Sequence, residues 1–200
     1  GLWDQAACSS LHTLYFVCPD KKKASGTIRA FLPEMEKAFV RFQKELPQGR
    51  LSPDEKTEIT RARQLAKADR AMGQAEFVSS FPRPDWTVIY EKDPVYRVSP
   101  LNRVLYVKCV PSLEDVRHNI APFRAYLQTV GVAGNITERK RVLEALCDSG
   151  LARVTRLGKM LDGVNGSPHD GIFPMMSLIN WIGIEEKPSP LDRLIELVGH

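Results

Sequence analysis

The sequence lacks the features that identify membrane proteins, zinc proteins and disulfide-rich proteins. No run of about 18 apolar residues occurs in its 200 residues, so we expect no membrane span. The four cysteines, Cys8, Cys18, Cys109 and Cys147, form no Cys-x-x-Cys pair and the four histidines are widely spread, which argues against a metal site. The N-terminus has neither the basic nor the apolar region of a signal peptide, and we therefore expect reduced thiols and a cytoplasmic location.

A strong charge imbalance is also missing. Lys and Arg total 28 against 24 Asp and Glu, which gives a net charge of +4 with His neutral. The lysine run at residues 21–23 predicts a solvated turn, with a phosphate or polyanion contact as the alternative. No basic motif with interleaved aromatic residues is present, so the sequence predicts no nucleic-acid partner.

Apolar patterning predicts alternating strands and helices. Strands are predicted over residues 11–17, 86–91, 103–110 and 151–158, with a strand-like run at the end of 124–134. Helices are predicted over 28–46 and 52–73, and from about 112 and 135 onward. The sequence therefore predicts an α/β fold with a largely parallel sheet flanked by helices.

The C-terminal part of the chain has a different character. A glycine-rich loop at 162–171 precedes a predicted helix that carries Phe173, Met176 and Ile179, and an amphipathic helix is predicted at 191–198. We divide the chain into an α/β domain at 1–183 and a tail at 184–200. An amphipathic helix needs a partner surface, so the tail predicts packing on a second subunit or on a missing part of the protein.

The segment DQAACSS at residues 4–10 raises the possibility of a reactive cysteine. A nucleophilic thiol must be partly exposed, and its thiolate must be stabilised by nearby N–H groups or cations. The small neighbours of Cys8 would let a substrate approach the backbone closely. The alternative is a buried structural thiol, which is also the prediction for Cys109 and Cys147. His12 is predicted to be a structural residue of the first strand.

The pair His169-Asp170 is a second candidate site. A histidine and a carboxylate in a glycine-rich loop can bind a ligand or exchange a proton. The alternative is that Asp170 caps the helix that follows.

Six segments occur in the order found in one enzyme family. They are DQAACSS (4–10), WTVIYE (86–91), SPLNR (99–103), YLQTVGVAG (126–134), RVTRLGKM (153–160) and HDGIFPMMSLINW (169–181). The first resembles the catalytic-cysteine segment of the aldehyde dehydrogenase superfamily. Taken together they resemble the bacterial long-chain acyl-CoA reductases, the fatty-acid reductase component of bioluminescence systems.

The resemblance implies a role for Cys8. It would attack a fatty acyl thioester such as an acyl-CoA, and the resulting S-acyl enzyme would be reduced to an aldehyde with NADPH as hydride donor. The family's oxyanion donors are the backbone N–H of the cysteine and an Asn of the preceding half of the protein. Gln5 and Ser9 would belong to the adjacent loop, and His169 and Asp170 would be candidates for a substrate loop.

The sequence departs from that family in two ways. It shows no Gly-x-Gly-x-x-Gly phosphate loop, and the cofactor-binding half that precedes the cysteine in the family is not part of the chain. We therefore expect the isolated chain to bind NADPH weakly and to lack hydride transfer. Where relatives carry a ribose-binding Glu, this sequence has SPLNR, which leaves Asn102 and Arg103 as candidate cofactor contacts; a structural ion pair is the alternative for Arg103.

Three functions remain open from the sequence. The first is reduction of an acyl thioester to an aldehyde. The second is a non-catalytic domain that binds an acyl group or a protein partner. The third is a thiol acyltransferase, which would use Cys8 without a nicotinamide.

Overall fold

The computed structural model describes residues 4–8, 10–163, 168–180 and 182. The chain divides into two compact units, residues 1–163 and residues 164–200. The domain boundary predicted between residues 183 and 184, and the helix predicted at 191–198, lie outside the described residues.

The first unit contains six strands, four α-helices and one 3₁₀ helix among the residues described. Their bounds are β1 Thr13–Val17, α1 Lys21–Glu45, α2 Pro53–Ala71, β2 Ala75–Ser79, β3 Thr87–Glu91, β4 Val104–Val110, α3 Leu113–Ile120, the 3₁₀ helix Ala121–Tyr126, β5 Thr129–Val132, α4 Ile136–Leu146 and β6 Arg153–Arg156. In the second unit, a short 3₁₀ helix at Pro174–Leu178 stands where the sequence predicted a longer helix.

The principal sheet has the strand order β1-β4-β3-β2. Strands β1, β4 and β3 run parallel, and β2 pairs antiparallel with β3 at one edge. Strands β5 and β6 form a separate parallel pair. The predicted α/β class with a largely parallel sheet and flanking helices is confirmed.

Two apolar cores cover the two faces of this sheet. On one face α1 packs on the strands through Ile28, Leu32, Val88, Leu105 and Val107. On the other face α2 packs through Ile59, Ala62, Ala66, Ile89, Val104 and Tyr106. Because successive side chains of a strand point to opposite faces, β4 must be apolar on both, which explains its nearly continuous run of buried residues.

Local capping explains where two of the helices begin. In α2 the Ser52 hydroxyl accepts a hydrogen bond from the Glu55 N–H while the Glu55 carboxylate accepts one from the Ser52 N–H. Asn135 and Glu138 form the same reciprocal capping box before α4. Both helix starts were predicted from the sequence.

The first helix corrects one sequence prediction. Residues 21–23 form the first turn of α1, not a solvated turn, so the helix begins well before Ile28. Asp20 is the reason: its carbonyl oxygen accepts from Ala24 N–H at 3.0 Å, and its carboxylate contacts Lys23 N–H at 3.5 Å. An aspartate in this position satisfies N–H groups that would otherwise lack partners.

The cysteines correct a second sequence prediction. Cys147 is exposed, so its prediction as a core residue is wrong. It is the residue that ends α4, one position beyond the buried Leu146, and its side chain leaves the apolar face there. Cys109 is half-buried on β4, and burial raises the pKa of its thiol.

A third apolar cluster lies beside the C-terminal end of β4. It joins the strand to α3 and α4 through Val110, Val116, Ile120 and Leu146. Partly buried side chains from β1 and from the β5–β6 region, among them Tyr15, Leu127 and Leu151, pack around it. This cluster forms one wall of the candidate site.

Candidate functional site

The segment that carries Cys8 is a tight turn before β1. The Ser10 N–H donates to the Ala7 carbonyl oxygen at 2.9 Å, which closes the turn around Cys8. Cys8 is a free and exposed thiol. The alternative of a buried structural thiol is therefore wrong, and the accessibility that a nucleophile requires is present.

A cavity of about 480 Å³ opens beside Cys8. Its walls come from the third apolar cluster and its surroundings, and include Val116, Ile120, Phe123, Leu127, Leu146 and Leu151. The volume lies within the range of about 300–1,000 Å³ that is usual for small-ligand pockets. An apolar cavity with a thiol at its edge is suited to a ligand that has a reactive group and an apolar body.

Two tyrosines of the cavity, Tyr15 and Tyr96, have their polar ends occupied or buried. The Tyr15 hydroxyl donates to the Pro94 carbonyl oxygen at 3.0 Å. Burial raises the pKa of Tyr15 far above its ordinary value and also raises that of Tyr96, so both phenols are neutral. Tyr96 also packs against Phe123, with ring centroids 4.8 Å apart. These rings therefore present mainly apolar surface to the cavity.

His12 lines the same cavity as Cys8. Its Nδ1 accepts a hydrogen bond from the Ser99 N–H at 3.1 Å, and burial lowers its pKa. The imidazole is thus neutral near pH 7, and because a backbone N–H can only donate, the ring proton is on Nε2. In this arrangement His12 is a hydrogen-bond donor and not a ready base. Its structural role is supported, and its place in the cavity is an addition to what the sequence predicted.

Gln5 does not reach toward the reacting atoms. Its side-chain nitrogen donates to the carbonyl oxygens of Leu11 at 2.6 Å and Val104 at 3.1 Å, and the residue is 3% exposed. Gln5 therefore ties the start of the Cys8 segment to its end and to β4. Ser9, its predicted companion in the loop, lies outside the described residues.

Asn102 and Arg103 are turned toward the interior. Arg103 is 4% exposed, with its Nε 2.6 Å from Asp4 Oδ1 and a further hydrogen bond to the Leu46 carbonyl oxygen at 3.0 Å. Asn102 is 7% exposed, and its side-chain nitrogen lies 3.4 Å from the Glu55 carboxylate. This geometry favours the structural ion pair for Arg103, and the cofactor contacts remain predictions.

His169 and Asp170 belong to the other compact unit. Their side chains are exposed and lie 3.2 Å apart, and the His169 backbone pairs with Ile172. Phe173, not Asp170, is the N-cap of the 3₁₀ helix that follows, and no side chain caps it. The capping alternative for Asp170 is therefore wrong, and a role in a substrate loop stays a prediction.

A buried charge cluster joins the central strands β3 and β4 of the sheet, and the sequence did not indicate it. The Lys108 ammonium is 1% exposed and lies 2.5 Å from the Glu91 carboxylate, with the Asp93 carbonyl oxygen at 2.8 Å. Arg97 contacts the other Glu91 oxygen. The signal that could have revealed the pair is two charged residues in strands that are otherwise apolar.

The described part of the chain offers neither a metal-binding cluster nor a membrane-spanning helix. Across the described ranges, no group of three or more His, Cys, Asp or Glu side chains is placed to hold a metal ion. Within the same part of the chain, no helix is both long and apolar enough to cross a bilayer.

Comparison with known proteins connects this arrangement to a family. The family model described as acyl-CoA reductase (LuxC) matches residues 1–181. The long-chain acyl-protein thioester reductase of Aliivibrio fischeri is 26% identical over 185 residues, which are 92% of this chain and 35% of that protein. Long-chain acyl-protein thioester reductase 2 of Photobacterium leiognathi is 25% identical over 192 residues, 94% of this chain and 36% of that protein.

The chain spans 35% and 36% of the lengths of these two relatives. The family model covers almost all of the chain, including the Cys8 turn and the cavity walls. The chain belongs to the acyl-CoA reductase (LuxC) family.

Proposed function

We propose that Cys8 and its cavity carry the acyl-transfer step of a fatty acyl thioester reductase that forms an aldehyde. The observation that carries the proposal is an exposed, free thiol at the edge of an apolar cavity of about 480 Å³. Membership in a family whose relatives are named for thioester reduction supports the same chemistry.

The acylation step is a thioester exchange. The Cys8 Sγ, as thiolate, forms a bond to the thioester carbonyl carbon, and the negative charge moves to the carbonyl oxygen. The bond from that carbon to the carrier sulfur then breaks, and the carrier leaves as a thiolate. The product is S-acyl Cys8, with no change in oxidation state. The backbone N–H of Cys8 is our candidate donor to the transient oxyanion.

The cavity gives the acyl chain a place to bind during this step. Val116, Ile120 and Leu146 belong to the third core and also line the cavity, so a chain that enters meets buried apolar side chains. Removing methylene groups from water stabilises binding by about 0.8 kcal/mol each. An acyl chain bound there would hold its thioester carbonyl near the Cys8 sulfur.

The reducing half of the reaction needs a hydride donor, and we propose NADPH. The two residues predicted to contact it, Asn102 and Arg103, would have to leave their present contacts with Glu55, Asp4 and the Leu46 carbonyl oxygen to do so. The overall change is a two-electron reduction of the acyl carbon, with the carrier released as a thiol.

The test separates acylation from reduction. The full-length protein, incubated with palmitoyl-CoA and NADPH, is expected to release hexadecanal, and the Cys8→Ala variant is expected to release none. Cys147→Ala, which removes the other exposed thiol, is the matched control and should leave aldehyde formation unchanged. Aldehyde formation by Cys8→Ala at the unmodified rate would contradict the proposal.

A thiol acyltransferase is the second candidate. The internal engagement of Asn102 and Arg103 favours it, because Cys8 and the cavity would suffice for that reaction. An acyltransferase would pass the acyl group from S-acyl Cys8 to an added thiol such as dithiothreitol, with no aldehyde when NADPH is present. Release of aldehyde that depends on NADPH would exclude this candidate.

A further inference from the structure

Two strained backbone segments meet behind the Cys8 turn. Six non-glycine residues among those described have positive φ, a conformation that a Cβ disfavours. Five of the six lie in two short segments, residues 4–5 and residues 101–103, with φ between 53° and 66°. Strain of this kind persists only where the surrounding structure holds it, and it concentrates at functional sites.

Direct contacts join the two segments. The Asn102 N–H donates to the Asp4 carbonyl oxygen at 2.9 Å, and the Arg103 guanidinium lies 2.6 Å from the Asp4 carboxylate. The second carboxylate oxygen of Asp4 accepts from the Gly49 N–H at 2.9 Å. Asp4 is therefore held from three sides, four residues before Cys8.

Arg103 is itself fixed to the body of the fold. Its guanidinium donates to the Leu46 carbonyl oxygen, just beyond the end of α1. Its own carbonyl oxygen accepts from the Thr87 N–H at 2.9 Å, at the start of β3. Because the residue is 4% exposed, its ion pair with Asp4 is shielded from water and resists screening by salt.

We propose that Arg103 is a positioning residue for Cys8, acting through Asp4. The Arg103–Asp4 pair and the Gln5–Val104 hydrogen bond fix the start of the turn, and the Gln5–Leu11 hydrogen bond fixes its end. The turn between these anchors holds the Cys8 sulfur at the cavity edge. The segment 99–103 thus supports the nucleophile, at the place where relatives were expected to hold a cofactor. This inference rests on the proposed acylation of Cys8.

The experiment compares two reactions of the same sulfur. Acylation by palmitoyl-CoA requires the sulfur to be oriented toward the bound thioester, whereas alkylation by iodoacetamide from solution does not. In Asp4→Asn, which keeps the side-chain shape, and in Arg103→Met, we expect Cys8 acylation to slow about 100-fold. Alkylation of Cys8 should stay close to the rate in the unmodified chain, and Arg103→Lys should recover part of the acylation rate.

Arg63→Met is the matched control. Arg63 is a half-buried arginine that donates to Thr87 Oγ1 and to the carbonyl oxygens of Arg83 and Trp86, and none of these contacts involves a residue of the Cys8 turn. Its loss should affect stability without changing the ratio of acylation to alkylation. Unchanged acylation in both Asp4→Asn and Arg103→Met would overturn the inference. A parallel loss of both reactions, repeated in Arg63→Met, would do the same.

Hydrogen exchange keeps the inference testable if the proposed function fails. If palmitoyl-CoA does not modify Cys8 in the unmodified chain, the proposed function fails, but the amide exchange of residues 5–8 still reports on the turn. Exchange that is faster in Asp4→Asn than in the unmodified chain supports the role of the Arg103–Asp4 pair in fixing the turn. Equal exchange in the two proteins contradicts it.

Discussion

The cores on the two faces of the sheet and the third cluster beside α3 and α4 differ in the cavities that border them. In the first two, Ile28, Ile59 and Val88 are at most 1% exposed and pack between helix and sheet. The third uses equally buried residues such as Leu146, yet it opens onto a cavity of about 480 Å³. A cavity of about 490 Å³ also borders the α1 core, but arginine, lysine and glutamate residues line it. The cavity beside Cys8 is the more apolar of the two.

The largest effect on stability is expected from the charged pair of Glu91 and Lys108, which is buried in the sheet. Glu91→Gln removes one charge of the buried pair with Lys108, so we expect the free energy of unfolding to fall by about 3–5 kcal/mol. The measurement is urea denaturation. Glu76→Gln, at an exposed position of the neighbouring strand β2, is the control and should change stability little. Equal effects of the two substitutions would show that the Glu91–Lys108 pair is not the buried contact described.

The same Leu→Ala change in two cores measures how they differ. Leu105 and Leu146 are 5% and 2% exposed, but only Leu146 lines the cavity. We expect Leu105→Ala to cost about 4 kcal/mol because it opens a new void, and Leu146→Ala about 2 kcal/mol because it enlarges an existing one. Only Leu146→Ala should alter the acyl chain length preferred in acylation of Cys8. A larger loss of stability for Leu146→Ala would mean that the third cluster is the better packed.

The smallest expected effect concerns His12 and pH. Burial lowers the pKa of His12 in the folded state. The stability that the neutral imidazole contributes is therefore fully present at pH values above the unfolded pKa of about 6.5. It is lost as the pH falls from there through the lowered folded pKa. We expect His12→Gln to flatten this part of the stability profile, measured by urea denaturation at a series of pH values. An unchanged slope in His12→Gln would contradict this prediction.

Much of the fold could be predicted because its signals are local. The capping boxes at Ser52 and Asn135 mark helix starts through contacts three residues apart. The apolar run of β4 indicated a strand covered on both faces. Strand β2 was missed because it is a short edge strand whose five residues include one exposed glutamate, which leaves little pattern.

The candidate site was predicted only in part, because its geometry is made by distant residues. Cys8 could be selected from its small neighbours and from the family resemblance. The cavity walls come from β1, α3, the 3₁₀ helix at 121–126 and the β5–β6 region, and no local pattern relates these segments. The Gln5–Val104 hydrogen bond joins residues 99 positions apart in sequence, and the Asp4–Arg103 ion pair beside it spans a similar separation. Long-range contacts of this kind give no periodic signal.

We propose that position at the cavity, and not exposure alone, makes Cys8 the acylated residue. Cys8 and Cys147 are both exposed, free thiols, but only Cys8 lines the cavity. The most direct measurement is peptide mapping by mass spectrometry after brief exposure of the chain to palmitoyl-CoA. We expect palmitoyl on Cys8 with Cys147 unmodified, and faster modification by palmitoyl-CoA than by acetyl-CoA. Equal modification of the two cysteines, or modification of Cys147 alone, would contradict it.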